Sequence, residues 1–187
     1  MQYYGCVFCR TGREIHLAED IKRIYPQVEV IVPHKLRNRR QGGQKIEEKV
    51  ILFPAYVFVR ADEYFPLLKL SSIADVYRVL CDSDHNWYLT GKDEEICRTL
   101  FQFSGCVGFS KAHYEGDRIA VGDGFLKGRE GDIVRVNRKA GTAQVKIILD
   151  GKIIYVWCGL ELQTVEPNQT GVLVKKEAVS LKQLDNG

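Results

Sequence analysis

Two cysteines separated by two residues, Cys6 and Cys9, are the first candidates for chemistry in the sequence. A C-x-x-C pair can bind zinc or carry out thiol redox chemistry, but a cysteine zinc site usually needs a second pair, and none follows with that spacing. The run from Tyr3 to Cys9 is apolar and predicts a β-strand, in which Cys6 and Cys9 lie on opposite faces. We therefore expect buried free thiols and no metal site.

Motifs for catalysis are also missing from the sequence. It contains no G-x-S-x-G nucleophile elbow, no phosphate-binding P-loop and no H-E-x-x-H zinc motif. The glycines of Gly122-Asp123-Gly124 and Gly128 resemble a phosphate-binding loop only superficially, because no Lys-Ser or Lys-Thr pair and no helix follow them. We predict that the protein is not an enzyme and uses no cofactor.

Basic side chains are the remaining candidates for a functional site. Residues 34–45 contain no acidic residue and five basic ones, namely Lys35, Arg37, Arg39, Arg40 and Lys45. A second set of seven lies further along the chain, namely Lys127, Arg129, Arg135, Arg138, Lys139, Lys146 and Lys152. Such groups can bind phosphates, or they can form a solvated surface rim.

The overall charge is nearly balanced along the 187 residues, of which 45% are hydrophobic. Residues 1–115 carry 16 basic and 15 acidic side chains and residues 116–167 carry 8 and 7, so each part has a net charge of +1. Nucleic acid would therefore have to be bound by local clusters. No apolar run is long enough to span a membrane, and the first residues lack a signal-peptide pattern. We expect a cytoplasmic monomer with no membrane partner.

The hydrophobic pattern predicts an α+β unit followed by an all-β unit. The first contains strands at 3–10, 28–33, 49–60 and 76–80, a long hairpin loop at 34–45, and helices at 14–25, 64–72 and 92–103. From Gly116 onward, short β-rich runs separated by glycine turns predict a small barrel. We assign residues 1–104 to the first domain, 105–115 to a linker, 116–167 to the barrel and 168–187 to a polar tail.

Two segments of the chain resemble motifs of the NusG family. The stretch from Val32 to Val59, which includes Gly42-Gly43-Gln44 and Phe53-Pro54-Ala55-Tyr56-Val57-Phe58, resembles the signature of the family's amino-terminal domain. The stretch from Gly116 to Val134 is similar to a KOW motif, and Gly131 occupies the position of the glycine that is characteristic of this motif. Arg10-Thr11-Gly12-Arg13-Glu14 is most similar to the specialised LoaP paralogs. Together the two segments cover nearly the whole chain except the tail.

The resemblance implies a factor that rides on elongating RNA polymerase. In the family, an antiparallel sheet flanked by helices binds the clamp helices of the largest polymerase subunit, and a five-stranded KOW barrel contacts other factors, the ribosome or RNA. The matching positions for polymerase binding are Phe8, Tyr56 and Phe58. The strand pattern itself places Tyr56 and Phe58 on one face, which also fits packing in the core.

The same resemblance gives the basic residues a role in binding nucleic acid. It places the basic residues of the hairpin near the upstream or nontemplate DNA, namely Lys35, Arg37, Arg39, Arg40 and Lys45. Arg10, Arg13 and Arg23 could line the same path. The seven basic residues of the barrel would form a stripe that binds a hairpin of nascent RNA. Scattered surface charge and a contact with a ribosomal protein are the alternatives for this second set.

The function that this resemblance implies is suppression of pausing and termination on a target operon, through binding to polymerase and to a nascent leader RNA. Two alternatives stay open. One is a general NusG-type elongation factor that couples polymerase to a termination factor or the ribosome. The other is a ribosome-associated KOW protein that binds RNA but not polymerase.

Overall fold

A computed structural model describes residues 2–81 and 85–163. The predicted tail at 168–187 and the last residues of the predicted barrel, 164–167, lie outside the described residues, and so does the side chain of Arg40. The elements, in chain order, are β1 (Tyr3–Cys9), α1 (Glu14–Ile24), β2 (Glu29–Ile31), β3 (His34–Gln41), β4 (Gln44–Ile51), β5 (Tyr56–Ala61), β6 (Val76–Val79), α2 (Gly91–Gln102), β7 (Cys106–Val107), β8 (Ser110–Glu115), β9 (Arg118–Asp123), β10 (Ile133–Asn137), β11 (Thr142–Leu149) and β12 (Lys152–Leu162).

The first unit is built on an antiparallel sheet with the strand order β2-β5-β1-β6. Because successive side chains of a strand point to opposite faces, β1 supplies two different cores. Val7 and Cys9 pack in a cluster with the apolar stripe of α1. Tyr4 and Cys6 pack in a second cluster with α2. Helices therefore cover both faces of the sheet, as the α+β prediction requires.

The segment predicted to be a hairpin loop at 34–45 is mostly strand. β3 and β4 pair from His34 and Ile51 to Gln41 and Gln44, and a two-residue turn of Gly42 and Gly43 closes the hairpin. Both glycines have positive φ, 57° and 82°, which a tight hairpin turn of this length favours. The sequence hides these strands because most of their side chains are exposed and polar, so the alternation of apolar and polar residues is weak.

The segment 105–115, which we predicted to be a linker, also contains strands. β7 pairs with β3 in parallel, and β8 begins three residues later as part of the second sheet. The first unit therefore extends to Val107 in the structure, and the second begins at Ser110. We call these the amino-terminal unit and the carboxy-terminal unit.

The carboxy-terminal unit is a five-stranded sheet with the order β10-β11-β12-β8-β9. All its pairs are antiparallel except β12 with β8. β11 alternates as the sequence predicts, with Val145, Ile147 and Leu149 at most 2% exposed. A curled sheet of this kind is compatible with the predicted barrel.

A close approach between two backbone segments explains one glycine of the KOW-like motif. A Cβ atom on Gly124 would lie 2.7 Å from the Cα of Ser110. The Ser110 hydroxyl is buried there and accepts a hydrogen bond from the backbone N–H of Leu126, at 3.1 Å. Glycine at 124 is therefore required for this loop to pack onto β8.

Glu14 is a buried carboxylate that fixes the loop before β5. It is 1% exposed and accepts a hydrogen bond from the backbone N–H of Ala55 at 2.7 Å. Burial raises the pKa of this carboxyl, but hydrogen bonds from the backbone N–H groups of Ala55, Glu14 and Gly12 more than offset it, so the net pKa is lowered. Ala55 has φ 70°, an unusual value for a residue with a side chain, and the bond to Glu14 helps to hold it.

Replacing Glu14 by alanine should therefore lower the free energy of unfolding by about 1–3 kcal/mol near neutral pH, because the Ala55 N–H loses its partner. The folded-state pKa is below the unfolded value of about 4.3, so this stabilisation is present above that pH and is lost as pH falls through the folded-state pKa. Urea unfolding of both proteins at several pH values measures the difference. The exposed Glu19→Ala is the control, and a Glu14→Ala difference that does not shrink on acidification would contradict the assignment.

Candidate functional site

Three aromatic rings meet on one face of the first sheet, at the end of β1. Phe8 lies 5.2 Å from Tyr56 and 5.8 Å from Tyr77, measured between ring centroids. The register places Tyr56 opposite Phe8 on one side and Arg78 on the other, and the pairing of β1 with β6 shifts directly after Phe8, at the level of Tyr77. Tyr77 is 64% exposed, Phe8 is partly buried and Tyr56 is 8% exposed. We call Phe8, Tyr56 and Tyr77 the aromatic patch.

Phe58 shares a face with Tyr56 but lies deeper than the aromatic patch. Its side chain is fully buried and its ring is 5.8 Å from that of Phe53. It belongs to a cluster of buried residues that continues into the carboxy-terminal unit through Phe125 and Leu126. Strand alternation predicts which face a residue occupies but not how deeply that face is covered, so the sequence leaves core and surface roles open for Phe58.

The turn between β11 and β12 reaches the aromatic patch from the carboxy-terminal unit. The Asp150 carboxylate forms an ion pair with Arg78, whose guanidinium lies 5.9 Å from the centroid of the Phe8 ring. The backbone N–H of Asp150 donates to Oδ2 of Asp93 at 3.0 Å. Burial raises the pKa of Tyr56, and the negative charge of Asp150 contributes to the shift. The turn therefore contacts Arg78 at the edge of the aromatic patch, beside Phe8.

Sequence reasoning missed Arg78, Asp93 and Asp150. The Asp150-Gly151 dipeptide between two β-rich runs is a strong signal for a tight hairpin, and both residues have positive φ, 54° and 68°. That signal fixes the turn but contains no information about what the turn contacts. The contact joins positions far apart in the sequence and requires the three-dimensional arrangement.

Most of the basic residues predicted to line a DNA path are already paired with carboxylates. Arg10 and Arg13 both face Asp75, with nitrogen-to-oxygen distances of 4.0 and 2.9 Å. Arg23 pairs with Asp20 at 2.7 Å on α1. Arg37 forms an ion pair with Glu48 across the β3–β4 hairpin, and Arg39 lies 3.7 Å from the same carboxylate.

Lys35 joins the two units. Its ammonium group donates a hydrogen bond to the backbone carbonyl of Trp157 on β12, at 2.5 Å. Burial lowers the pKa of this lysine. Its charge is therefore engaged between the units.

The seven basic residues predicted to form a stripe on the carboxy-terminal unit are spread over several places. Lys127, Arg129 and Lys146 line a groove beside α2. Arg129 lies 5.4 Å from the centroid of the Phe125 ring and donates to the Thr99 hydroxyl at 3.4 Å. Arg138 and Lys139 line a second opening on the β10–β11 turn. Arg135 and Lys152 are exposed and line neither.

The cysteines are packing residues in this structure. All six are free, and burial raises the pKa of Cys9 to about 11 and that of Cys158 to about 12. Thiols with such values are poor nucleophiles and poor metal ligands near neutral pH. Within residues 2–81 and 85–163, no group of three or more potential ligand side chains is placed to bind a metal, and no helix is long and apolar enough to cross a membrane.

Charge reversal at Asp150 should expose Tyr56, because Asp150→Arg replaces an ion pair with repulsion against Arg78. We expect nitration of Tyr56 by tetranitromethane to be several-fold faster in this variant than in the wild type, as measured by peptide mass spectrometry. Tyr64, which is 71% exposed, is the internal reference. Asp117→Arg, at an exposed position of the same unit, is the matched control. Equal Tyr56 nitration in the wild type and Asp150→Arg would show that the turn does not protect this residue.

No protein-family model matches the sequence, and a search of curated proteins also gives no match. Among solved structures, the chain is similar to one described as "Domain interaction in Thermotoga maritima NusG", with 18% sequence identity and a TM-score of 0.47. The alignment covers 85% of this chain and 94% of that chain. We therefore infer function from the residues of this chain.

Proposed function

We propose that this protein is a NusG-type transcription elongation factor that binds RNA polymerase through the aromatic patch and has no catalytic step of its own. The observation that carries the proposal is the convergence of Phe8, Tyr56 and Tyr77 on one sheet face, at positions that include two of the three matched to the family's polymerase-binding surface. The family-like motifs at Val32 to Val59 and Gly116 to Val134 support it.

The patch has the chemistry of a protein-binding hot spot. Aromatic side chains and arginine are enriched among the residues that dominate binding energy, and Arg78 lies directly beside Phe8. Phe8 and Tyr77 are accessible at the edge, whereas Tyr56 is covered. A helical partner would contact Phe8 and Tyr77 first and would gain Tyr56 once the Asp150 turn moves away.

Separation of that turn from the patch has a small electrostatic cost. The Arg78 side chain is 43% exposed, and ion pairs that are open to solvent on one side typically contribute about 0–1 kcal/mol. The larger resistance comes from apolar contacts between the units, among them the rings of Phe103 and Phe125 at 6.4 Å. Polymerase binding at Tyr56 therefore has to compete mainly with these apolar contacts.

The more specific part of the proposal is a LoaP-like role, in which the carboxy-terminal unit binds nascent leader RNA and the complex suppresses termination. Arg10-Thr11-Gly12-Arg13-Glu14 supports this part by its similarity to the specialised paralogs. The exposed basic side chains of Arg138 and Lys139 lie on the β10–β11 turn, Arg135 lies on β10 before it, and all three suit phosphate binding.

A second candidate is a general NusG-type factor whose carboxy-terminal unit binds a protein. Ile148 and Ile153 are paired across β11 and β12, and Tyr155 follows two residues later on the same face. Their exposed fractions are 39%, 53% and 55%. Together the three side chains form an apolar surface larger than a single exposed residue gives. This surface would fit a termination factor or a ribosomal protein.

Polymerase binding should depend on the exposed edge of the patch. Phe8→Ala and Tyr77→Ala should each weaken binding of the full chain to core RNA polymerase by about tenfold or more, because each removes an aromatic anchor. Biolayer interferometry measures this. Tyr64→Ala, a similarly exposed tyrosine outside the patch, is the control. Wild-type affinity in both patch variants would overturn the proposal, and so would the absence of polymerase binding in the wild type.

Transcription across a terminator separates the two roles. With a template that carries the protein's own operon leader, the specialised role predicts more readthrough, which is lost when the leader is deleted. Alanine at Arg135, Arg138 and Lys139 should lower readthrough while polymerase binding persists. A general factor would instead act equally with and without the leader, and Ile153→Ser with Tyr155→Ser would impair its binding to the protein partner.

A further inference from the structure

A cleft between the two units brings together basic residues that the sequence assigns to different surfaces. Arg39 and Lys45 come from the β3–β4 hairpin, and Arg138 and Lys139 come from the β10–β11 turn. We call these four residues and the space between them the basic cleft. Its volume is about 630 Å³, within the range of about 300–1,000 Å³ that is typical of ligand sites.

Hydrogen bonds fix both walls of the basic cleft to β12. The backbone N–H of Leu160 donates to the carbonyl of Gly141 at 2.8 Å, which holds the β10–β11 turn against β12. On the other side, the Lys35 ammonium group holds β3 to the carbonyl of Trp157 at 2.5 Å. The cleft therefore exists only while the amino-terminal and carboxy-terminal units are docked.

Three positive charges of the basic cleft have no acidic partner. Within residues 2–81 and 85–163, no carboxylate oxygen lies within 4.0 Å of the charged nitrogens of Lys45, Arg138 or Lys139. This contrasts with the arginines elsewhere on the amino-terminal unit, such as Arg10, which face carboxylates. Unpaired positive charges that converge on one opening favour a polyanion.

The position of Arg138 is fixed by an aromatic ring rather than by a charge. Its guanidinium lies 4.3 Å from the centroid of the Tyr114 ring, and its Nε donates to the Tyr114 hydroxyl at 3.4 Å. Stacking orders the side chain and leaves its positive charge uncompensated. An ordered arginine with free donors is suited to a phosphate group.

The other lining residues favour a single RNA strand over a duplex. The cleft is too small for a double helix, and Phe109 in its wall offers an apolar ring on which a base can stack. Glu47 and Glu161 also line the cleft. Carboxylates repel phosphates but accept hydrogen bonds from ribose 2′-hydroxyl groups, which RNA has and DNA lacks.

We propose that the basic cleft binds one RNA strand through both units at once, with phosphates held by Arg39 and Lys45 from one wall and by Arg138 and Lys139 from the other. This goes beyond the proposed function, which places RNA on the carboxy-terminal unit alone, and it does not depend on polymerase binding. Because the RNA bridges the units, it stabilises their docked arrangement. By thermodynamic linkage, a partner that separates the units lowers the affinity for RNA by the same factor by which bound RNA lowers the affinity for that partner.

Fluorescence anisotropy with a labelled oligouridylate of about ten nucleotides tests the site on the full chain. Lys45→Ala and Arg138→Ala should each weaken binding by about three- to tenfold, and each should reduce the slope of log affinity against log salt by about 0.7. Lys69→Ala and Arg118→Ala, which remove exposed charges outside the cleft, should change neither the affinity for this RNA nor the docking of the units. Thermal unfolding checks that all four variants are folded.

Three other outcomes of the anisotropy experiment would overturn the proposal. An effect of Arg138→Ala without one of Lys45→Ala would place the RNA on the carboxy-terminal unit alone. Equal losses in all four variants would indicate binding by bulk charge. Equal or tighter binding of oligodeoxythymidylate would identify single-stranded DNA as the ligand instead of RNA.

The bridging itself has a separate readout. In Asp150→Arg, the oligouridylate should slow the nitration of Tyr56, because bound RNA holds the units together. Adding Lys45→Ala to this variant should remove that protection. Persistent protection in the double variant, or none in Asp150→Arg at saturating RNA, would overturn the bridging. Neither measurement involves polymerase, so failure here is distinguishable from failure of the proposed function.

Discussion

The structure depends on one apolar face that the first sheet cannot bury with its own strands. β1 and β5 place Tyr4, Cys6 and Phe58 on the face opposite α1, and all three are almost completely buried. The helix α2 supplies Cys97 and Leu100 to the same cluster, other parts of the amino-terminal unit supply further members, and the carboxy-terminal unit adds residues such as Phe125 and Leu126. Burial of a large apolar side chain typically contributes about 1.5–3 kcal/mol. Docking of the units is therefore a consequence of how this face is completed.

Polar contacts between the units have a different role from this apolar cluster. They include the Arg78–Asp150 pair and the hydrogen bonds Asp150–Asp93, Lys35–Trp157 and Arg129–Thr99, and they are partly open to solvent. Each adds little free energy, but each requires a defined geometry. They select one docked arrangement among those that would cover the apolar face. The Asp150 turn pairs with Arg78 beside Phe8 in this arrangement, which links docking to the edge of the aromatic patch.

Sequence reasoning predicted local structure well wherever at least one face of an element is buried. The strand at β1 follows from an apolar run that is buried on both faces, whereas the stripe of Leu17, Ala18 and Ile21 on α1 and the alternation on β11 follow from burial of one face. It failed for β3 and β4, whose exposed faces give no apolar period, and for β7, which is two residues long. Sequence reasoning also could not predict how deeply Phe58 is buried or which residues Asp150 contacts, because both depend on contacts between distant parts of the chain.

The arrangement of the basic residues also depends on contacts between distant parts of the chain. Which of their charges are paired and which are free therefore cannot be predicted from the sequence. The sequence shows two basic sets on two units with almost no net charge, which suggests two weak and separate surfaces. In the folded chain many of these charges are neutralised locally, as Arg13 is by Asp75 and Arg37 by Glu48. Docking then gathers the unpaired charges of Lys45, Arg138 and Lys139 at one cleft. The cleft thus has more basic than acidic lining residues although the chain as a whole has almost no net charge. The apolar face that brings the units together is consequently also what creates the cleft. If both proposals hold, a ligand of the cleft and a partner of the aromatic patch would therefore shift the docking equilibrium in opposite directions.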